Sequence, residues 1–174
     1  MNTLEALLTR RSCRKYLDKV PEKELLEKVV EAGTYAPTGS GRQSPIIIAV
    51  TNKELRDKLS KANAAVMNAS NDPFYGAPAV LIVLADKVGS TTPVYDGSCV
   101  IENMMLAAHE LGLATCWIHR AQQVMASDFG KEILASLGID TEKYEGIGNV
   151  IIGYADGEPA APAPRKENYV YWVE

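Results

Sequence analysis

Ala79-Val80-Leu81-Ile82-Val83-Leu84-Ala85 is apolar at every position. A strand with one wet face alternates apolar and polar residues. An unbroken run between Pro78 and Asp86 therefore predicts an interior strand covered on both faces. The flanking sequence supplies the covers. Upstream, Leu25, Val29, Ala32 and Ala36 form one stripe of a helix from Glu22 to Ala36, with Glu and Lys on the other faces. It must stop near Pro37, because the residue before a proline is pushed out of the helical region. A loop, Thr38-Gly39-Ser40-Gly41-Arg42-Gln43-Ser44-Pro45, leads into a β-branched run from Ile46 to Thr51 that reads as a second buried strand. Asn52 then begins a helix to about Met67, and Asn68 to Gly76 is polar and turn-rich.

Downstream, a helix from about Tyr95 to Leu111 carries Cys99, Val100, Ile101, Met104, Met105 and Ala108, apolar nearly all round. Such a helix belongs at the centre of a core or in a subunit interface. Ala114 to Ile118 reads as a short strand, Val124 to Leu137 as a helix and Asn149 to Ala155 as another buried strand. At the N-terminus Leu4, Leu7 and Leu8 recur at helical spacing, with Thr3 as the expected cap. Helices and strands alternate. The tail, residues 157–174, opens Pro/Ala-rich and closes on Tyr169-Val170-Tyr171-Trp172-Val173, a run of strand-forming composition beyond an extended linker. The expectation is a single domain, residues 1–174, ending in an arm that embraces a partner subunit.

The 174 residues suffice for one core, and 47% apolar with 23% charged residues is ordinary globular composition. The apolar runs fall well short of the roughly 20 residues that cross a bilayer. Met1-Asn2-Thr3-Leu4-Glu5 lacks the basic region and apolar run of a secretory signal, so a cytoplasmic location is expected. Cys13, Cys99 and Cys116 are odd in number and scattered, which suits reduced thiols better than a disulfide framework or a zinc site; no metal site is expected. A net charge of −4 argues against general nucleic-acid binding. Within this acidic chain Arg10, Arg11, Arg14, Lys15 and Lys19 place five cations in ten positions. Charge alone leaves a solvated run and a small-anion site equally open.

Arg10-Arg11-Ser12-Cys13-Arg14 offers several guanidinium forks and a hydroxyl, donors suited to a phosphate or a carbonyl oxygen. It stands with Ala36-Pro37-Thr38-Gly39-Ser40-Gly41-Arg42-Gln43, with Leu111-Gly112-Leu113-Ala114-Thr115-Cys116-Trp117-Ile118 and with Pro164-Arg165-Lys166. In this order and at these spacings the chain, from near residue 3 to its end, resembles the nitroreductase family. These are FMN-dependent reductases of α+β class, an α/β sandwich whose central, mostly antiparallel sheet is flanked by helices. Rival signatures are missing: there is no Gly-x-Ser-x-Gly, no Gly-x-x-x-x-Gly-Lys-Ser/Thr and no His-Glu-x-x-His. Gly39-Ser40-Gly41 follows a helix instead of joining a strand to one, so a dinucleotide fingerprint fails.

The resemblance implies a homodimer with an FMN site at each side of the interface. Arg10, Arg11, Ser12 and Arg14 would grip the ribityl chain, pyrimidine ring and phosphate, while Arg165 and Lys166 close on the phosphate. Pro37, Thr38, Gly39, Ser40 and Gly41 would come from the partner's side of the flavin. Ile118 and His119 would bring backbone groups near N5, and Asn71 is a candidate for the pyrimidine edge. The chain departs from the family pattern in its loop, where Gly41 or Arg42 replaces an Asn and Ser44-Pro45 a Pro-Trp pair. It departs again at His119, where Gly is commoner; this histidine is either a proton donor or a surface residue. His109 reads as a satisfied interface histidine, and Phe74, Tyr75 and Trp172 as substrate walls or packing. The implied activity is a ping-pong transfer from NAD(P)H to nitroaromatics, quinones or similar small electron-poor acceptors, with no catalytic side chain assigned. The alternatives are a non-catalytic FMN store or sensor and a specialised flavin reaction such as reductive dehalogenation.

Overall fold

The all-apolar run lies at the heart of the molecule. The structure, a computed structural model, describes residues 2–174. In chain order its elements are α1 (Thr3–Thr9), α2 (Lys23–Thr34), a 3-10 turn (Gly39–Gly41), β1 (Pro45–Val50), α3 (Lys53–Val66), β2 (Ala79–Asp86), α4 (Pro93–Glu110), β3 (Ala114–Ile118), α5 (Ala121–Ala126), α6 (Asp128–Ser136) and β4 (Tyr144–Gly153). The strands form one sheet in the order β1-β2-β4-β3, and every pairing is antiparallel. Along β2, Ala79, Leu81, Val83 and Ala85 pack with Leu26 and Val29 of α2 and Ile101 and Met104 of α4. The alternate residues Val80, Ile82 and Leu84 pack with Leu59 of α3, Val124 of α5 and Leu134 of α6. Each fully buried aliphatic side chain contributes about 1.5–3 kcal/mol, so this strand organises both halves of the core.

A bulge in β4 adapts the sheet to α4. Val83 pairs Gly148 and Leu84 pairs Gly146, which leaves Ile147 as the extra residue, turned into the α4 side of the core. A Cβ on Gly148 would stand 2.4 Å from Trp117 Nε1, so the missing side chain makes room for the indole. Beyond β3 the chain segment after α1 covers the sheet edge: Ser12 bridges Thr115 in parallel, and Tyr16 bridges Ala155 antiparallel.

Several boundaries differ from expectation. Asn2, not Thr3, caps α1, its side chain accepting from the Glu5 amide at 2.9 Å. The helix expected from Val124 to Leu137 is two helices broken at Ser127, which takes extended angles (φ −71°, ψ 163°) and caps α6 by accepting from the Gly130 amide. The apolar periodicity hid the break because Val124, Met125, Ile133 and Leu134 all face the same core. Strand β4 starts at Tyr144, five residues before Asn149, because Gly146 and Gly148 dilute its apolar signal. Leu4, Leu7 and Leu8 point away from the protomer at 72%, 50% and 74% exposure; in α1 only Ala6 is buried. Residues 157–174 are exposed and contain neither helix nor strand, so Tyr169 to Val173 finds no sheet edge in this protomer. No helix among the described residues is long and apolar enough to cross a membrane.

Candidate functional site

Helix α1 ends at Arg10, whose backbone (φ −55°, ψ 133°) leaves the helical region and sends the chain along β3. The Cys13 amide donates to the Thr115 carbonyl at 2.9 Å and the Asp156 amide to the Lys15 carbonyl at 3.0 Å, which pins the basic segment between β3 and the start of the arm. A cleft of about 580 Å³ results, lined by Arg10, Arg11, Ser12, Arg14, His109 and residues 155–160. That size suits a small cofactor.

The polarity of the cleft is unbalanced. Arg10 Nη1 and Arg11 Nε are buried without a hydrogen-bond partner. Arg10 Nε lies 3.8 Å from Glu102, and Arg11 Nη1 donates to the Arg10 carbonyl at 2.6 Å. A buried cationic N–H with no acceptor costs free energy that an incoming anion would recover. His109, in the last turn of α4, places Nε2 2.8 Å from Thr9 Oγ1. Arg14 is exposed, 5.9 Å from the Tyr75 ring centroid, within cation–π range. Behind the segment Tyr16 donates to the Cys13 carbonyl at 2.9 Å. Burial first, then the Cys13 and Cys116 thiols, pushes its phenol above the ordinary value, so it stays neutral.

Of the residues singled out in the sequence, Arg10, Arg11, Ser12 and Arg14 therefore converge. Pro37, Thr38, Gly39, Ser40 and Gly41 lie elsewhere, in the loop before β1. Ser12 sits outside β3, at the opposite edge of the sheet. Four strand spacings of about 4.8 Å place Ser12 roughly 20 Å from β1, the strand that the loop enters. Asn71 is exposed and lines a separate cleft with Arg56, Ser60 and Asp72. Ile118 is buried at the end of β3. His119 is exposed, and its carbonyl accepts from Asn63 Nδ2 at 2.8 Å and Asn149 Nδ2 at 3.5 Å. The chain then turns through Arg120 at φ 76°. Arg165 and Lys166 are exposed on the arm, Arg165 donating to the Ala163 carbonyl at 2.6 Å and Lys166 lying 5.2 Å from the Tyr169 ring centroid. Phe74 is core, at 1% exposure, whereas Tyr75 and Trp172 are open to solvent.

Sequence reasoning passed over Asp96. This carboxylate, 3% exposed in the first turn of α4, accepts from the Gly39 amide (2.9 Å), Ser44 Oγ (2.6 Å), Ser90 Oγ (3.1 Å) and Thr92 Oγ1 (3.0 Å). Burial works to raise its pKa, but the donors Ser44, Gly39, Thr92 and Ser90 outweigh it and hold the carboxyl below its ordinary value. The one available signal was an Asp in the first turn of a mostly apolar helix; its partners are up to 57 residues away.

A four-stranded antiparallel sheet with helices on both faces, carrying a cationic cleft at one edge, defines an α+β sandwich as expected. The chain belongs to the nitroreductase family, whose model, described as "Nitroreductase family", matches residues 7–154. Two solved structures of similar fold are a nitroreductase with bound FMN from Bacteroides fragilis NCTC 9343 (TM-score 0.89, 28% identity, 100% of both chains) and one from Desulfitobacterium hafniense DCB-2, also with bound FMN (TM-score 0.86, 29% identity, 100% of both chains). A provisionally named NADH dehydrogenase/NAD(P)H nitroreductase of Methanothermobacter thermautotrophicus is 33% identical over 120 residues, 67% of this chain. The match spans 60% of that relative's length.

Proposed function

We propose that the chain is an FMN-dependent oxidoreductase that works as a homodimer and uses NAD(P)H to reduce small electron-poor acceptors such as nitroaromatics or quinones. The observation that carries this is the pair of buried, unpartnered guanidinium nitrogens in Arg10 and Arg11, two residues that line a cleft of about 580 Å³. A flavin phosphate is the acceptor they lack, and the FMN-bound relatives of the same fold support that choice.

When bound, FMN would supply the redox chemistry of a ping-pong reaction between NAD(P)H and the acceptor. The chain's own residues bind and orient. Arg10 and Arg11 hold the phosphate end, and Ser12 and Arg14 offer a hydroxyl and a further cation to the ribityl chain and pyrimidine edge. Asn71 is a further candidate for that edge. Arg165 and Lys166 close on the phosphate when the arm is seated. The Asn63 and Asn149 amides steady the carbonyl of His119, and with it the turn after Ile118 that would face the reacting edge of the ring. No side chain need act as nucleophile.

The loop from Pro37 to Gly41 would complete the site from a second copy of the chain. Two features support a dimer. The loop and the cleft lie at opposite edges of one sheet, and exposed Leu4, Leu7, Leu8 and Tyr169 to Val173 leave apolar surface that a second copy would cover.

The test is spectroscopic. The purified protein is expected to show the visible flavin absorbance or to acquire it with FMN, and anaerobic stopped-flow with NADH or NADPH is expected to bleach that band. A protein that takes up no flavin would remove the whole reading. A yellow protein that neither nucleotide bleaches would be a flavin carrier instead of a reductase.

A further inference from the structure

The loop assigned above to the partner's flavin takes backbone angles that need support from outside it. Ser40 (φ 54°) and Gln43 (φ 49°) are non-glycine residues in the left-handed region, with Gly41 (φ 65°) between them. Such a conformation persists only where the surroundings enforce it. Thr38 Oγ1 accepts from the Gln43 amide at 3.0 Å, and the Arg42 guanidinium donates to the Gly89 carbonyl. Within the turn the Gly41 amide donates to the Thr38 carbonyl at 3.0 Å and the Arg42 amide to the Gly39 carbonyl at 3.2 Å, and the Asp86 amide donates to the Ser44 carbonyl at 3.0 Å. Asp96 adds a tie from α4 to both ends of the loop, to its start through the Gly39 amide and to its end through Ser44 Oγ. Ser90 and Thr92 fill the other acceptor sites of the carboxylate. Gly39 fits this arrangement because a Cβ there would stand 2.2 Å from Thr92 Oγ1. Tyr35 and Tyr95, adjacent in sequence to the loop and to Asp96, are 80% and 73% exposed, as befits a face that meets a second copy.

We propose that Asp96 is a positioning residue for flavin binding in trans: it shapes the Thr38–Ser44 loop of one subunit to complete the site built on Arg10 and Arg11 of the other. This rests on the flavin and dimer reading above. The carboxylate never meets the cofactor. It acts by presenting Ser40, Gly41 and Arg42, all exposed, in one fixed conformation.

Subunit mixing tests this. Asp96→Ala and Arg10→Ala chains with different tags are co-expressed, and the mixed dimer is purified through both tags. Each homodimer is expected to bind FMN more weakly than wild type, Arg10→Ala by about tenfold to a hundredfold, as for the loss of a charge-assisted hydrogen bond, and Asp96→Ala by about tenfold through the loss of a fixed loop conformation. In the mixed dimer one site draws its cations from the Asp96→Ala copy and its loop from the Arg10→Ala copy, so one FMN per dimer is expected at wild-type affinity. The other site lacks both. If instead the mixed dimer has two weakened sites and none of wild-type affinity, Asp96 acts within its own subunit and the proposal is overturned. Asp96→Asn, whose Oδ1 can still accept from Gly39, should recover most of the affinity. Unchanged affinity in an Asp96→Ala homodimer of wild-type thermal stability also overturns the proposal. Should Asp96→Ala fail to fold, Gly39→Ala, which drives the loop off Thr92, replaces it in the same mixing experiment with the same two outcomes. A wild-type protein that binds no FMN would instead refute the flavin reading itself.

Discussion

At the scale of single residues, Arg10 shows how a site can be recognised by what it lacks. Its Nη1 is buried with no acceptor, an arrangement that a stable fold avoids unless a ligand compensates. Replacing it with alanine removes an unsatisfied donor from the apo protein and, on the proposed reading, a partner from the FMN phosphate. Arg10→Ala is therefore expected to weaken FMN binding by about tenfold to a hundredfold, as for the loss of a charge-assisted hydrogen bond, while leaving the melting temperature of the apo protein unchanged or slightly raised. Flavin fluorescence titration and a thermal melt check the two halves. Undiminished affinity would remove Arg10 from the phosphate. Tyr16 behaves in the opposite way: its hydroxyl is satisfied by Cys13 and its ring packs on the core, so its role is support.

At the scale of elements, the connection from α3 to β2 is held by one buried guanidinium. Arg56, 7% exposed, donates to the Ala77 carbonyl at 2.8 Å, to Asp72 at 2.7 Å and to Asp57 at 3.0 Å. Asp72 in turn accepts from Ser60 and from the amides of Phe74 (2.9 Å) and Gly76 (2.7 Å). Burial opposes its ionisation, but Ser60, Arg56, Gly76 and Phe74 together keep its pKa below the ordinary value. The clamp turns a polar, turn-rich segment into an ordered one and carries Asn71 with it. Arg56→Met preserves the apolar stem and removes the donors. It is expected to cost about 2 kcal/mol, less than a fully buried pair because Asp72 is partly exposed, seen as a lower urea midpoint. Hydrogen exchange should quicken first at Phe74 and Gly76. A midpoint within error of wild type would show that the loop is held by Asp72 alone.

At the scale of the whole molecule, the arm has no internal reason to exist. Tyr169, Val170, Tyr171, Trp172 and Val173 are 62–100% exposed, and residues 157–174 pair with no strand. Exposed apolar surface of that kind marks an interaction site, which the second copy of the proposed dimer would cover. Removing residues 165–174 is expected to shift the protein toward monomer in light scattering and to release flavin, because Arg165 and Lys166 go with the apolar run. A truncated protein that remained dimeric and yellow would contradict the arm's proposed role in both.

The sequence by itself determined the core strand, the helices that cover it and the grouping of Arg10, Arg11, Ser12 and Arg14, because hydrophobic periodicity and charge clustering are local properties that survive in one dimension; the α+β class was legible only through the family resemblance that its motifs carry. Even there, the break at Ser127 escaped, since two helices facing one core share a single periodicity. Only the tertiary structure decided that Asp96 anchors a loop 57 residues away, that α1 turns its leucines outward and that the loop and the cationic cleft stand at opposite edges of the sheet. Hydrogen-bond partnership and distance across a sheet depend on how the strands are ordered, and strand order is set by packing between segments far apart in the chain.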